Sequence, residues 1–438
     1  MLSLRKTLEN NQPADIARLM EMLESEHPKS LAAVYRLLPK DLAAEVFVEF
    51  DSDTEEMLIS ALSDKELAET LAELFYDDAA DLIEEMPAGV VKRILKNTAP
   101  SDREEINKLL NFASDSAGSI MTTEFVRLKK EMTVADALAH IRKVAIDKET
   151  IYTCYVTGES RQLEGIISAR TLLTAGTDEI IGSIMQTNFI SVKTDTDREE
   201  VAKALAKYGL LALPVVDSEG LLVGIITVDD AIEVLKEETE EDFAVMAAMT
   251  PVETPYLKLS VASIFRSRIP WLILLMLTST FTGMIISSFE EALASKVALA
   301  IFIPMLMGTG GNCGSQSSIT VIRALSLGEI RLSDALKVLY KEFRVALLCS
   351  AALALMMFVK IMTLDRMISG SDIDLTVATI VSLTLIVTVC LSKIIGAALP
   401  ILASKLHLDP AVMASPFVTT LVDTFTLLAY FTVAGFFI

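Results

Sequence analysis

Cysteine and histidine are scarce in this chain of 438 residues, and the places of the few copies narrow its chemistry. Four cysteines (Cys154, Cys313, Cys349 and Cys390) are scattered without a Cys-x-x-Cys, and three of them fall in apolar runs. That is neither a disulfide framework nor a zinc site. The three histidines, His27, His140 and His407, do not cluster. The chain therefore shows no nucleophile–base set and no ligand set of the kind an enzyme needs, and no catalytic residues are expected. Basic residues are also in deficit: 38 Lys and Arg face 59 Asp and Glu, a net charge of −21. Acidity on that scale argues against a nucleic-acid partner and for solubility or cation binding. The start of the chain has no apolar signal segment, so the first ~250 residues are expected in the cytoplasm.

Charge is sparse in residues 269–438, where long apolar runs dominate. About 20 apolar residues cross a bilayer. Five candidate spans follow: Ile269–Phe289, Ala292–Ile322, Ala335–Met362, Ile373–Leu402 and Pro410–Ile438. Arg266, Arg268, Arg323, Arg331, Lys337, Lys341, Arg344, Lys393 and Lys405 fall on or toward one side, and only Lys296, Lys360 and Arg366 on the other. The positive-inside rule then puts the N-terminus in the cytoplasm and the C-terminus outside. The outer loops carry Glu290, Glu291, Asp365, Asp372 and Asp374, either to attract cations or as ordinary loop polarity.

The second span holds an unusual stretch, residues 304–323, dense in glycine yet carrying amides and hydroxyls. Polar groups at membrane depth persist where they are packed in protein or line a water-filled path. Gly310 and Gly314 have the Gly-x-x-x-Gly spacing of close helix packing. Packing does not require Asn312 and Gln316, which stand four apart on one helical face and point to a polar path. In the fifth span Asp423 lies mid-helix, with Thr419 and Thr420 a turn before it. A carboxylate at that depth needs a partner or water. A salt bridge is open only to Lys393, so a cation or water suits Asp423 better. Pro304 and Pro416 are expected to bend their helices and free carbonyls.

Residues 1–115 read as an acidic module of short amphipathic helices, with apolar stripes over Asp15–Leu23, Ala43–Phe50, Leu67–Phe75 and Ala79–Met86. Their rhythm suggests a small solenoid. Acids such as Asp77, Asp78, Glu84 and Glu85 read first as a solvated face; Asp77 and Asp78 are weaker candidates for cation binding. Residues 116–242 contain a tandem repeat, 116–180 and 181–242. Gly118-Ser-Ile-Met121 recurs as Gly182-Ser-Ile-Met185, and Gly165-Ile-Ile-Ser168 as Gly224-Ile-Ile-Thr227. Two copies are too few for a solenoid and imply a mutually packed pair. This α/β pair resembles a tandem CBS domain. The resemblance implies dimerisation and, through Gly224, Thr227 and Asp230, at most one adenine-nucleotide site. The first copy has Thr171 where that aspartate would stand.

The second repeat runs into an acidic helix. Glu233, Glu237, Glu240 and Glu241 share one of its faces. Together with Asp229, Asp230, Glu238 and Asp242 they repel one another, which reads either as an acidic solvated helix or as a site for a hard divalent cation with oxygen ligands. The cluster precedes a connecting helix, Pro255–Arg268 within residues 243–268, that enters the membrane.

The whole chain resembles the MgtE family of magnesium channels and transporters: an α-helical N module, a CBS pair, a connecting helix and a five-helix transmembrane bundle over residues 269–438. The Gly-Thr-Gly-Gly-Asn-x-Gly-x-Gln-Ser stretch at 308–317 and the run from Asp409-Pro to Thr-Leu-x-Asp423 carry the resemblance. It implies a homodimer in the cytoplasmic membrane, surrounded by lipid. It implies hydrated Mg²⁺ held by Asp423 of both chains, with Asn312, Gly311, Gln316, Ser415 and Thr419 along the path. It also implies closure of the pore when cytosolic Mg²⁺ bridges the acids of the N and CBS modules. The competing reading is a proton-coupled carrier of another divalent cation or solute, with Asp423 as the proton site.

Overall fold

The structure is a computed structural model that describes residues 10–26, 30–252, 256–290, 296–369 and 374–437. The chain divides into two compact units, Met1–Lys236 and Glu237–Ile438.

Eight helices open the first unit among the described residues: α1 (Pro13–Glu26), α2 (Leu31–Tyr35), α3 (Lys40–Phe47), α4 (Ser52–Ala61), α5 (Asp64–Leu71), α6 (Tyr76–Glu85), α7 (Ala88–Asn97) and α8 (Pro100–Leu109). Capping side chains mark where two of these helices start. Asp51 accepts from the Thr54 amide at the head of α4, and Ser63 and Glu66 close a capping box on α5. Each cap satisfies amides that the first helical turn leaves open. Alternate helices stack, α1 on α3, α3 on α5 and α5 on α7, which gives the solenoid rhythm expected from the sequence.

The repeat follows. Its first copy contains β1 (Phe125–Lys129), α9 (Val134–Val144), β2 (Thr150–Thr157), β3 (Leu163–Ser168) and α10 (Ala169–Thr174). The second contains α11 (Ile181–Ile184), β4 (Val192–Lys193), α12 (Arg198–Tyr208), β5 (Ala212–Val216), β6 (Leu222–Thr227) and α13 (Val228–Met246). Both sheets have three strands, the first pair parallel and the second antiparallel. The recurring motifs interlock. A Cβ on Gly224 would come within 2.5 Å of Met121 Sδ, and one on Gly165 within 2.8 Å of Met185 Sδ. Each Gly-Ile-Ile strand therefore packs on the Gly-Ser-Ile-Met turn of the other copy. A single apolar core joins the helical module to the second copy, running from Phe47, Leu58 and Ile83 to Val201, Leu213 and Ile226.

Among the described residues the second unit contains five helices long and apolar enough to cross a membrane: Val261–Ser288, Val297–Ser326, Leu332–Ile368, Leu375–Lys405 and Pro410–Phe437. Their α-helical parts are α14 (Val261–Ser288), α15 (Ile303–Ser326), α16 (Ala335–Lys360), α17 (Arg366–Ser369), α18 (Leu375–Lys405) and α19 (Ser415–Phe437). A π-helical turn, Ile361–Asp365, joins α16 to α17. Two expectations are corrected. No separate connecting helix spans Pro255–Arg268: residues 253–255 lie outside the described residues, and from Val261 the chain is one helix with the first span, capped by Ser260. Pro304 and Pro416 do not kink their helices. Both lie within the first turn, of α15 and α19 respectively, where a missing N–H has no partner to lose.

The core of this unit lies among α15, α18 and α19, and small residues set its spacing. A Cβ on Gly396 of α18 would run into the carbonyl of Gly314 on α15. Gly314 in turn faces Val418 and Val422 of α19, where a Cβ would approach to 2.8 and 3.2 Å. Gly310 and Gly314 are thus packing glycines, as their spacing predicts. Gly396→Ala is expected to force two backbones apart and to destabilise the unit by about 1–3 kcal/mol. Gly308→Ala meets open space within 4 Å and is expected to hold or gain stability. Thermal unfolding of the purified protein in detergent, followed by circular dichroism, checks both.

Candidate functional site

Helices α15 and α19 run antiparallel in close contact. Ser318 Oγ donates to the Met413 carbonyl at 2.6 Å, and a Cβ on Gly311 would lie 2.8 Å from Thr419 Cγ2. Toward the other end of the seam Tyr430 OH donates to the Leu299 carbonyl at 2.9 Å. Gly311 is buried in this seam, where its missing side chain lets the helices approach.

Burial divides α15 by face. Gly310, Gly311, Cys313, Gly314, Ser317 and Ser318 are buried, whereas Pro304, Gly308, Asn312 and Gln316 form an exposed stripe at a spacing of four. Beside that stripe, across the Gly311–Thr419 contact, α19 presents Thr419 and then Asp423, both half-buried. The Thr419 hydroxyl donates to the Pro416 carbonyl at 2.9 Å and Thr420 does the same at 3.0 Å. With their protons directed into the helix, these hydroxyls keep acceptor lone pairs. Asn312 and Gln316 on α15, and Thr419 and Asp423 on α19, thus carry oxygen acceptors on two adjoining helices. Ser415 begins α19, and its side chain lies outside the described residues.

Lys393 is not the partner of Asp423. Its Nζ lies 3.9 Å from Glu342 Oε2 on α16 and donates to Ser317 Oγ on α15 at 3.3 Å. Ser317 Oγ donates to Glu342 Oε2 at 2.6 Å. This three-helix chain of contacts was missed from sequence, where its members lie 25 and 76 residues apart. Two acids at the other end of the spans are locally neutralised, which favours ordinary loop polarity for them: Asp374 pairs with Lys296 and Asp365 with Lys360, each at 2.9 Å. Glu291 and Asp372 lie outside the described residues.

The first unit gathers carboxylates. Asp77, expected on a solvated face, is only 7% exposed, and its Oδ1 has no partner among the described residues. Burial pushes its carboxyl well up, reinforced by Asp230, Asp78 and Glu149. Burial and then Asp230 raise Asp78 to about 7 and Glu149 to about 8. Burial raises Asp230 to about 6, against the pull of its bonds from the Thr227 amide and hydroxyl. Glu124, which accepts from the Tyr76 amide at 2.9 Å, borders the same group, as do Asp229 and Glu233. Glu84 and Glu85 are exposed, as expected. Among the described residues no three carboxylates converge into a ready-made metal cage. Glu149 and Glu124 escaped the sequence reading because their places depend on how the repeat folds against α6.

The acidic run continues along α13. Glu233, Glu237, Glu240 and Glu241 are exposed on it, and Glu238 and Asp242 are half-buried. Gly224 and Thr227 lie on β6, and Asp230 is the third residue of α13. The side chain that would meet a ribose is already held by Thr227.

Known proteins resemble this chain throughout. Residues 303–433 match the divalent cation transporter family MgtE, residues 11–115 the MgtE intracellular N domain, and residues 117–178 and 181–237 the CBS domain. The magnesium transporter MgtE of Thermus thermophilus is 37% identical over 436 residues, 99% of this chain and 94% of that protein. The Bacillus subtilis protein of the same name is 33% identical over 435 residues, with the same coverage of both chains. Among solved structures, the cytosolic domain of the Mg²⁺ channel MgtE in complex with ATP is 39% identical over 52% of this chain and 93% of its own, with a TM-score of 0.49.

The raised carboxylates give a pH test. In the folded chain Asp230, Asp78 and Glu149 hold protons up to about 6, 7 and 8, well above the ordinary carboxylate range. Their shift favours the closed arrangement of α6 against the repeat at low pH, and that contribution is lost as pH rises through those values. With divalent cations chelated, the protection of the α6 amides, taken against the intrinsic exchange rate at each pH, is expected to fall by about tenfold or more between pH 5.5 and 8. Added Mg²⁺ is expected to reverse this at pH 8 and to release protons into weakly buffered solution at pH 7.

Proposed function

Because the chain belongs to the MgtE family, we propose that it carries Mg²⁺ across a membrane as a multi-pass protein, along the polar side of α15 and α19, under control of cytosolic Mg²⁺. The observation that carries the reading is Asp423. It is a carboxylate about 12 Å into α19, taking 1.5 Å per residue from Ser415, and Lys393, the nearest candidate partner, is engaged elsewhere. A stripe with Asn312 and Gln316 cannot face lipid. Two copies of the chain, with these sides turned toward one another, would enclose a wet path and place two Asp423 carboxylates across it.

The chemistry fits a hydrated ion. Mg²⁺ dehydrates reluctantly and keeps several waters. Its bound waters are proton donors, and acceptors such as the Asp423 carboxylate, the Thr419 hydroxyl and the Asn312 amide oxygen suit them. One acid per chain is too few for the carboxylate cage that Ca²⁺ prefers. The positive-inside pattern supports a cytoplasmic N-terminus and an external C-terminus. At most one adenine-nucleotide site per chain is proposed, at Gly224, Thr227 and Asp230, where ribose hydroxyls would take over the bond that Thr227 now makes.

The regulatory half of the proposal rests on the acids. Without cations, Asp77, Asp78, Asp229, Asp230 and Glu233 repel one another, as do Glu237, Glu238, Glu241 and Asp242 farther along α13. Mg²⁺ bound between carboxylates favours the compact form that holds more ions, and mass action shifts the population toward it. A few weak bridges acting together bias a two-state element by a few kcal/mol. The compact form is the closed one in this scheme, which makes it negative feedback.

Asp423→Ala is expected to lower Mg²⁺ flux into liposomes by about 100-fold or more while the protein still inserts, because the path loses its charge. Asn312→Ala is expected to do less, since an amide contributes only a dipole. Wild-type flux in Asp423→Ala would take Asp423 out of the path. Replacing Glu238, Glu241 and Asp242 together by their amides is expected to keep conduction and to raise the internal Mg²⁺ needed for half-inhibition. Inhibition at the wild-type concentration would reduce this cluster to a solvated face.

A further inference from the structure

Glu342, Ser317 and Lys393 form a charged chain of contacts within the membrane-spanning unit, and the ion path as read above does not use it. Lys393 and Glu342 expose 6% and 14% of their side chains. A pair this secluded is held at a desolvation penalty, so its geometry matters more than its attraction. The Ser317 hydroxyl sits between the two charges, donating to Glu342 at 2.6 Å and accepting from Lys393 at 3.3 Å. Ser317 is the immediate neighbour of Gln316 and lies little more than one helical turn from Asn312.

The packing around this chain is incomplete. A cavity of about 510 Å³ opens between α15 and α16, lined by Gln316, Ile319, Thr320 and Val345 together with the three polar residues. At this level a cavity stands between α15 and α16 where close packing would otherwise hold them. On the far side Gly314 presses on α18 and α19 with no slack. Close packing thus fixes how near α15 comes to α18 and α19, but glycine faces are smooth and resist rotation weakly. The polar chain supplies the missing restraint: one hydroxyl of α15 is gripped from α16 and α18 at once.

We propose that Ser317, Glu342 and Lys393 are positioning residues that fix the rotation of α15, and through it the direction in which Asn312 and Gln316 face the ion path. This rests on the reading that Asn312 and Asp423 line that path. A turn of one residue, 100° on a helix, would carry both amides off it. The pair also keeps the neighbourhood neutral, so a passing cation meets neither charge alone.

The two roles separate by sign. If the pair acted only through its field, Lys393→Met would make the path more negative and raise cation flux, and Ser317→Ala would change nothing. As positioning residues, both changes lower flux. The experiment is Mg²⁺ uptake into liposomes by purified Ser317→Ala, Lys393→Met, Glu342→Gln/Lys393→Met and Asp423→Asn, each checked for insertion and monodispersity. Ser317→Ala removes one oxygen and leaves the charges in place, so it serves as the mild variant. Ser317→Ala and Lys393→Met are expected to lower maximal flux about tenfold while the Mg²⁺ concentration at half-maximal flux changes less than about twofold. The doubly neutral variant is expected to recover at least about half of wild-type flux, because no lone charge remains to pull α15 round. Wild-type flux in Ser317→Ala, or raised flux in Lys393→Met, overturns the positioning role when Asp423→Asn is inactive. An active Asp423→Asn overturns the ion-path reading and this inference with it.

Discussion

A carboxylate withdrawn from water must find a proton, a donor or a cation, and this chain builds both of its units around that requirement. In the first unit Asp77, Asp78, Asp230 and Glu149 are brought together with so little compensation that each holds its proton above the ordinary carboxylate range. In the second, Asp423 stands mid-helix while Lys393 is engaged by Glu342. Burying like charges without an answer to them is destabilising, so the structure has a standing demand for positive charge at both places. A small divalent cation answers it more economically than protons do, since one ion satisfies two carboxylates.

The rest of the membrane unit supports that arrangement. Glycines at 310, 311, 314 and 396 let α15, α18 and α19 approach until backbone nearly meets side chain or backbone. Close approach fixes the level of Thr419 against Gly311, with Asp423 one turn farther along α19. Polar side chains not spent on the amide stripe of α15 hold the scaffold, with Ser318 tied to Met413 and Ser317 to Glu342. The same residue types make up an exposed stripe and a packed seam, and only the face of the helix tells them apart.

Much of this was legible in the residues. Runs of about 20 apolar side chains mark a membrane span wherever they occur, and the recurring Gly-Ser-Ile-Met and Gly-Ile-Ile motifs mark the repeat. The spacing of Asn312 and Gln316 separates them from Gly310 and Gly314 before any coordinate is known. What was not legible depends on contacts between distant segments. Asp77 reads as a solvated acid because nothing in its neighbourhood shows that the second repeat will cover it. Lys393 reads as a loose candidate for Asp423 because Glu342 sits near the start of its span, in a cluster of basic residues where an acid looks unremarkable. Pro304 and Pro416 read as kinks because helix starts hidden inside apolar runs carry few boundary signals, and the run from Ser260 into the first span conceals its start in the same way.

The purified chain in liposomes, with Mg²⁺ outside and the cytosolic face held at stepped Mg²⁺ concentrations, gives the most direct measurement. Mg²⁺ entry that is brisk at low cytosolic Mg²⁺ and falls steeply in the millimolar range, with little sensitivity to an imposed proton gradient, is the expected result. Entry that follows the proton gradient, or that ignores cytosolic Mg²⁺ while the acids of α6 and α13 remain intact, would overturn the proposal of a path closed by its own ion.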